Sequence, residues 1–210
     1  MKKQYIDSSR RNFFKSIVFG GTIFLFPKVV LSGAQKEEYL ADSVASNMGR
    51  SLNNVNPARL IFSSDMAGQL WLNDMNKRLS QYVDYEYQRH KILINLQYEA
   101  SRAGLDSQLI LGLIQIESRF RRYAISPVGA RGLMQVMPFW VSAIGKPEHN
   151  LFDIRTNLRY GCTILRYYLD RENGNLFRAL GRYNGSLGKA SYPNAVLGAM
   201  QQNWVYNGPV

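Results

Sequence analysis

The sequence predicts a mainly helical fold, and three observations carry that expectation. Apolar residues recur at helical spacing in one segment after another. Alternating apolar and polar runs, the mark of half-buried strands, are scarce. Glycine, proline and capping residues stand between the periodic segments, where helices should start and stop. With 210 residues, 46% of them apolar, the chain can build one domain with a real core plus an extension.

Taken in order, the chain begins with a positive stretch, Ser8-Ser9-Arg10-Arg11-Asn12-Phe13-Phe14-Lys15, followed by an apolar run from Ile17 to Phe26. The run is short for a bilayer span, and Ser32-Gly33-Ala34 offers small residues for cleavage after Ala34. The order Ser9-Arg10-Arg11 to Lys15 resembles a bacterial twin-arginine signal, so residues 1–34 are expected to be a signal peptide and the mature protein periplasmic or secreted. An ordinary secretory signal carrying two arginines, or an uncleaved anchor, would read similarly. Residues 35–56 are polar and rich in Ser and Asn, which predicts a flexible lead closed by Pro57. Arg59 to Val83 predicts one or two amphipathic helices, so 35–84 reads as a lead with extension helices.

The main predicted domain spans 85–207. Tyr85 to Arg102 has Ile92, Leu93, Leu96 and Ala100 at helical spacing and ends at Gly104. Asp106 is placed to cap the next helix, which carries Leu109 to Glu117. A Gly/Pro-punctuated loop, Ser126 to Gly132, leads to Leu133-Met134-Gln135-Val136-Met137-Pro138. Asp153 is a second cap, before helical spacing from Asn157 to Leu169; Asn175 to Gly181 and about Asn194 to Trp204 complete the set.

The net charge of +11 is uneven. Residues 1–34 hold six cations against Asp7, and the rest of the chain carries 20 basic and 14 acidic residues. Such a surplus suits an anionic polymer, but no zinc-finger spacing, phosphate loop or base-reading helix argues for nucleic acid. Cys162, the sole cysteine, excludes an intrachain disulfide and sits at a core position. His90 and His149 share no ligand spacing, so no metal site and no cofactor are expected.

Glu117 stands at the end of an apolar helix, where an ionised carboxylate is costly to bury. Its pKa should rise, which suits a general acid near neutral pH. Taken alone, the segment fits as well a peripheral acid paired with Arg121 one turn on. Three separated segments then put polar residues where packing does not require them: Glu117-Ser118 with Ser126, Gly132-Leu133-Met134-Gln135, and Arg182-Tyr183-Asn184-Gly185. Together they resemble the soluble lytic murein transglycosylase family, relatives of goose-type lysozyme that cut the glycan strand of peptidoglycan. The pattern Glu-Ser-x-Phe-x-x-x-Ala-x-Ser-x-x-Gly-Ala-x-Gly-Leu-Met-Gln-x-x-Pro is met throughout from Glu117 to Pro138. Asn150-Leu151-Phe152-Asp153 and Asn157 to Gly161 meet a second cue. The third, Ala-Tyr-Asn-x-Gly, is met at Tyr183 and Asn184, with Arg182 in place of Ala.

The resemblance implies a lysozyme-like helical domain with a substrate groove. It implies cleavage between N-acetylmuramic acid and N-acetylglucosamine without water. Glu117 would protonate the glycosidic oxygen, then take the proton of the sugar's C6 hydroxyl as that hydroxyl closes a 1,6-anhydro ring. It also assigns Ser118, Ser126, Met134, Gln135, Met137, Tyr183 and Asn184 to the substrate site, with Tyr183 donating toward the acid. Simpler roles compete: Ser118 as a local hydrogen-bonder, the methionines as core, and Phe139, Trp140 and Trp204 as packing instead of sugar platforms. Implied partners are peptidoglycan strands, with wall or secretion-machine proteins as further candidates, for a monomeric enzyme. The rivals are a hydrolytic goose-type lysozyme, which would want a second acid, and a non-catalytic wall-binding scaffold, which would have lost its acid.

Overall fold

A computed structural model describes residues 35–37, 39–53 and 56–209. The twin-arginine segment expected at 1–34 lies outside these residues. Among the described residues eight α-helices follow in order: α1 (Asp42–Leu52), α2 (Asp65–Leu79), α3 (Glu86–Arg102), α4 (Ser107–Glu117), α5 (Phe139–Ile144), α6 (Ile154–Arg171), α7 (Leu176–Asn184) and α8 (Ser191–Ala199). Among the described residues only isolated antiparallel bridges join extended backbone, Ile125 to Arg131 and Arg131 to Val136. The mainly helical fold is therefore as the sequence predicts.

Helix α4 is the axis of the domain. Six consecutive residues from Leu109 to Ile114 are buried, because the helix is apolar all round and must be enclosed. Asp106 caps it, accepting from the Gln108 N–H at 2.8 Å. On one side α8 crosses so closely that a Cβ on Gly112 would stand 2.9 Å from Met200 N and Val196 O. On the other sides lie α3 and the π-helical turn Met200–Trp204 that continues α8. That turn is tied back to α4, since Trp204 Nε1 donates to Gln115 Oε1 at 2.7 Å.

Helix α6 is the second pillar, packed on α3, α7 and α1. Its cap is Asp153, which accepts from the Thr156 N–H at 2.9 Å. Between α3 and α6 lies Glu99, fully buried and met by three guanidiniums: Arg102 at 2.8 Å, Arg159 at 3.0 Å and Arg155 at 3.3 Å. Arg159 also donates to Leu52 O at 2.8 Å, so one charge cluster fastens the extension to the domain.

The lead differs from its expected form. Helix α1 occupies 42–52, inside the polar stretch read as flexible. Met48 and Leu52 are buried, with Val44 and Ala45 packed on the core beside them. Four apolar residues on one face are enough when α6 supplies the opposing surface, although Ser and Asn dominate the composition. The segment 59–63 is anchored too: Gln97 clasps the Ile61 backbone, accepting from its N–H at 2.8 Å and donating to its carbonyl at 2.7 Å.

Candidate active site

Glu117 is the last residue of α4 and is 5% exposed. The chain turns sharply after it, with Arg119 and Phe120 in the left-handed region at φ 51° and 61°. Such residues cost about 1–3 kcal/mol each and persist only where the surroundings hold them. Here the holder is aromatic: Phe120 packs against Trp204 and Tyr82, each at a centroid distance of 5.3 Å. The turn fixes where α4 stops, and so fixes the carboxyl group at its end.

The hydroxyl of Tyr192 donates to Glu117 Oε1 at 2.5 Å. Tyr192 sits in the first turn of α8 and is fully buried. Burial, then the neighbouring Glu117 charge and the hydrogen bond to it, push this phenol well above the usual value of 10.0. It therefore stays a donor across the pH range in which a carboxyl group titrates. The sequence reading did not single out Tyr192. It lies in none of the three motif segments, and Ser191-Tyr192-Pro193 looks like a helix start only.

The three motif segments meet in one scaffold. Asn157 of α6 donates to Arg131 O and Leu151 O, both at 2.8 Å, and accepts from the Met134 N–H at 2.8 Å. Gly132, at φ 76°, is required there: a Cβ would lie 2.4 Å from Asn157 Nδ2 and 2.5 Å from Leu151 O. Tyr183 of α7 donates to Met134 O at 2.8 Å. The Gly132–Gln135 turn is thus gripped through its backbone at Met134 by side chains from α6 and from α7. Tyr183 is fully buried, and burial first, then the Glu117 charge, raise its phenol well above 10.0.

The remaining predicted site residues take these places. Ser118 is buried and its hydroxyl donates to Ile114 O at 3.3 Å. Ser126 Oγ accepts from the Ala130 N–H at 3.0 Å, shaping the loop. Gln135 is buried at φ 48°, its amide donating to Gly132 O at 2.9 Å and Ala124 O at 3.1 Å. Met134 is fully buried against α6, where a Cβ on Gly161 would fall 2.3 Å from its sulfur. Met137 is half-buried, and its N–H donates to Gln35 Oε1 at 3.3 Å. Asn184 is buried at the end of α7. Trp140 and Trp204 belong to the core. Arg182, the departure from the third motif, is ion-paired with Glu172, which also takes Arg178; these two, Arg182 first, hold the Glu172 carboxyl below its usual range.

Among the described residues no group of three His, Cys, Asp or Glu side chains gathers to hold a metal ion, and no helix is long and apolar enough to cross a membrane. Cys162 is fully buried, and burial raises its thiol far above the usual range. Beside Phe120 a cavity of about 740 Å³ opens between the start of α3 and residues 120–125.

A buried helix-end carboxyl, a phenol bound to it and a gripped Gly-Leu-Met-Gln turn thus stand together at one place in the fold. The family model described as "Transglycosylase SLT domain" matches residues 94–199, half of the chain, and the chain belongs to that family. The membrane-bound lytic murein transglycosylase C of Mannheimia succiniciproducens is 32% identical over 144 residues, covering 60% of this chain and 40% of that one. Its counterpart in Actinobacillus succinogenes is 36% identical, covering 48% and 30%. The transglycosylase of Enterobacteria phage PRD1 is 34% identical, covering 53% and 43%. The chain therefore spans less than half the length of these relatives. A solved inactive mutant of lytic transglycosylase Slt from Pseudomonas aeruginosa overlaps 80% of this chain and 35% of its own, at 18% identity and a TM-score of 0.41.

Proposed function

We propose that this chain is a lytic transglycosylase of the bacterial cell envelope. It cleaves the β-1,4 bond between N-acetylmuramic acid and N-acetylglucosamine in peptidoglycan and leaves 1,6-anhydromuramic acid ends. The observation that carries this reading is the Glu117–Tyr192 pair at the end of α4. Near-complete burial and the negative end of the helix dipole both act against a standing charge on Glu117. The acid can therefore hold its proton until the glycosidic oxygen takes it. Once the proton has left, the Tyr192 hydroxyl stabilises the carboxylate through a charge-assisted hydrogen bond. The same carboxylate then removes the proton of the C6 hydroxyl as its oxygen attacks C1, and Glu117 ends the cycle protonated again.

Supply of acids favours ring closure over hydrolysis. Most glycosidases use two carboxyl groups. Among the described residues the buried acids are Glu117 and Glu99, and Glu99 is committed to three arginines. Asp153, the other acid in a motif, caps α6. An intramolecular hydroxyl needs orientation in place of an activated water, and the effective concentration so gained can be worth several kcal/mol. The export expected from Arg10 and Arg11 would bring the enzyme to its polymer.

The test is mass spectrometry of fragments released from purified sacculi. Anhydro ends from the wild type, and none from Glu117→Gln, support the reading. Reducing muramic acid ends would replace it with a lysozyme-type hydrolase.

A further inference from the structure

A cavity of about 270 Å³ lies between α1 and α6, with Arg102 and Ala103 at the end of α3 completing its wall, and no motif residue lines it. Thr163, Arg166 and Asp170 face it from successive turns of α6, and Val44, Met48 and Ser51 from successive turns of α1. Three atoms in this wall are anomalous. Arg102 Nη2, Arg166 Nε and Thr163 Oγ1 are buried, and none has a hydrogen-bond partner among the described residues. Thr163 as a whole is only 7% exposed. A buried polar group without a partner is costly and uncommon, and three around one cavity point to one shared partner.

The chemistry of that partner follows from the wall. Guanidinium nitrogens only donate, and a threonine hydroxyl can donate, so the partner is an acceptor. Both arginines are fixed at another nitrogen: Arg102 Nε donates to Glu99 at 2.8 Å, and Arg166 Nη2 is paired with Asp170. Arg102 and Arg166 against Asp170 leave one surplus positive charge in the wall, which suits a single negative charge. Val44, Met48 and Ala103 add apolar surface. Water alone fills such a space poorly, since one molecule takes about 30 Å³ and gains nothing from the apolar side. The volume lies just below the usual range for ligand pockets, roughly 300–1,000 Å³, so the occupant is small. We propose that this cavity binds a small monocarboxylate with a short aliphatic chain, its oxygens accepting from Arg102 Nη2, Arg166 Nε and Thr163 Oγ1. Such a ligand touches α1 and α6 together, so it fastens the extension to the domain beside the Glu99 cluster.

Calorimetric titration of the protein with butyrate tests the site, with n-butanol and inorganic phosphate as controls. Butyrate should bind one-to-one, and both controls at least about tenfold more weakly. Arg166→Gln should weaken butyrate at least about tenfold. Thr163→Val, which keeps the side-chain shape, should weaken it about threefold to tenfold and serves alone if Arg166→Gln does not fold. Arg102 is left in place because it also supports Glu99. Circular dichroism and fragment release from sacculi should match the wild type in both variants. Absence of saturable butyrate binding overturns the proposal, since the cavity would then hold water only. Phosphate binding as tight as butyrate also overturns it, as does butyrate binding that neither substitution weakens.

Discussion

Among the described residues two glutamates are buried, and they are buried in opposite ways. Glu99 has three guanidiniums within 3.3 Å and joins α3 to α6. Glu117 has the neutral hydroxyl of Tyr192 at 2.5 Å and ends α4 beside the motif turn. The three guanidiniums occupy the Glu99 carboxylate with ion pairs, so it serves as a strut. The Tyr192 hydroxyl donates to the Glu117 carboxyl and, as a phenol held well above its usual pKa, brings no charge to it. The environment of a buried carboxyl, more than its burial, decides whether it serves as a strut or as a catalyst.

The comparison can be broken by exchanging the fates of the two acids. Glu117→Gln should lower kcat by about 10³ or more while the melting temperature stays close to that of the wild type, checked by dye release from labelled sacculi and by calorimetry. Glu99→Gln should do the reverse. Three arginines would face a neutral group, costing about 3–5 kcal/mol and shifting the melting temperature by about 10 °C, with activity retained at low temperature. If Glu99→Gln melts like the wild type, the arginine cluster is not the strut described here.

Smaller effects sharpen the contrast. Tyr192→Phe should reduce kcat about tenfold and leave binding of Glu117→Gln to glycan unaffected, as removal of one donor to a charge formed in the reaction predicts. An unchanged kcat would detach Tyr192 from catalysis. The weakest effect is alkaline. The buried phenols Tyr160, Tyr183 and Tyr192 titrate higher in the folded chain than their usual value of 10.0, Tyr160 being pushed up to about 12 by burial. A raised folded value means stability is full below pH 10 and is lost as pH rises from 10 through 12. Thermal unfolding followed from pH 8 to 12 should show a plateau and then a decline, and a decline starting well below pH 10 would contradict it.

Much of this arrangement was readable in the chain itself. The helices of the catalytic domain, the caps Asp106 and Asp153 and the acid at the end of α4 follow from periodicity and short-range rules. Long-range pairing did not. Tyr192 is 75 residues from Glu117, Tyr183 is 49 from Met134, and Glu99 is 60 from Arg159, and no local pattern signals such partners. Gln135 and Ser126 are polar for the loop they close, which a motif cannot distinguish from a ligand contact. Helix α1 was hidden because its four apolar residues are sparse among Ser and Asn.

The central claim is that one titrating acid, with no activated water, cuts the strand. Digestion of sacculi in water enriched in heavy oxygen tests it most directly. The account predicts new muramic acid ends that are one water lighter than hydrolysis products and carry no label. Ends that incorporate the heavy oxygen would show that water attacks C1, and would contradict it.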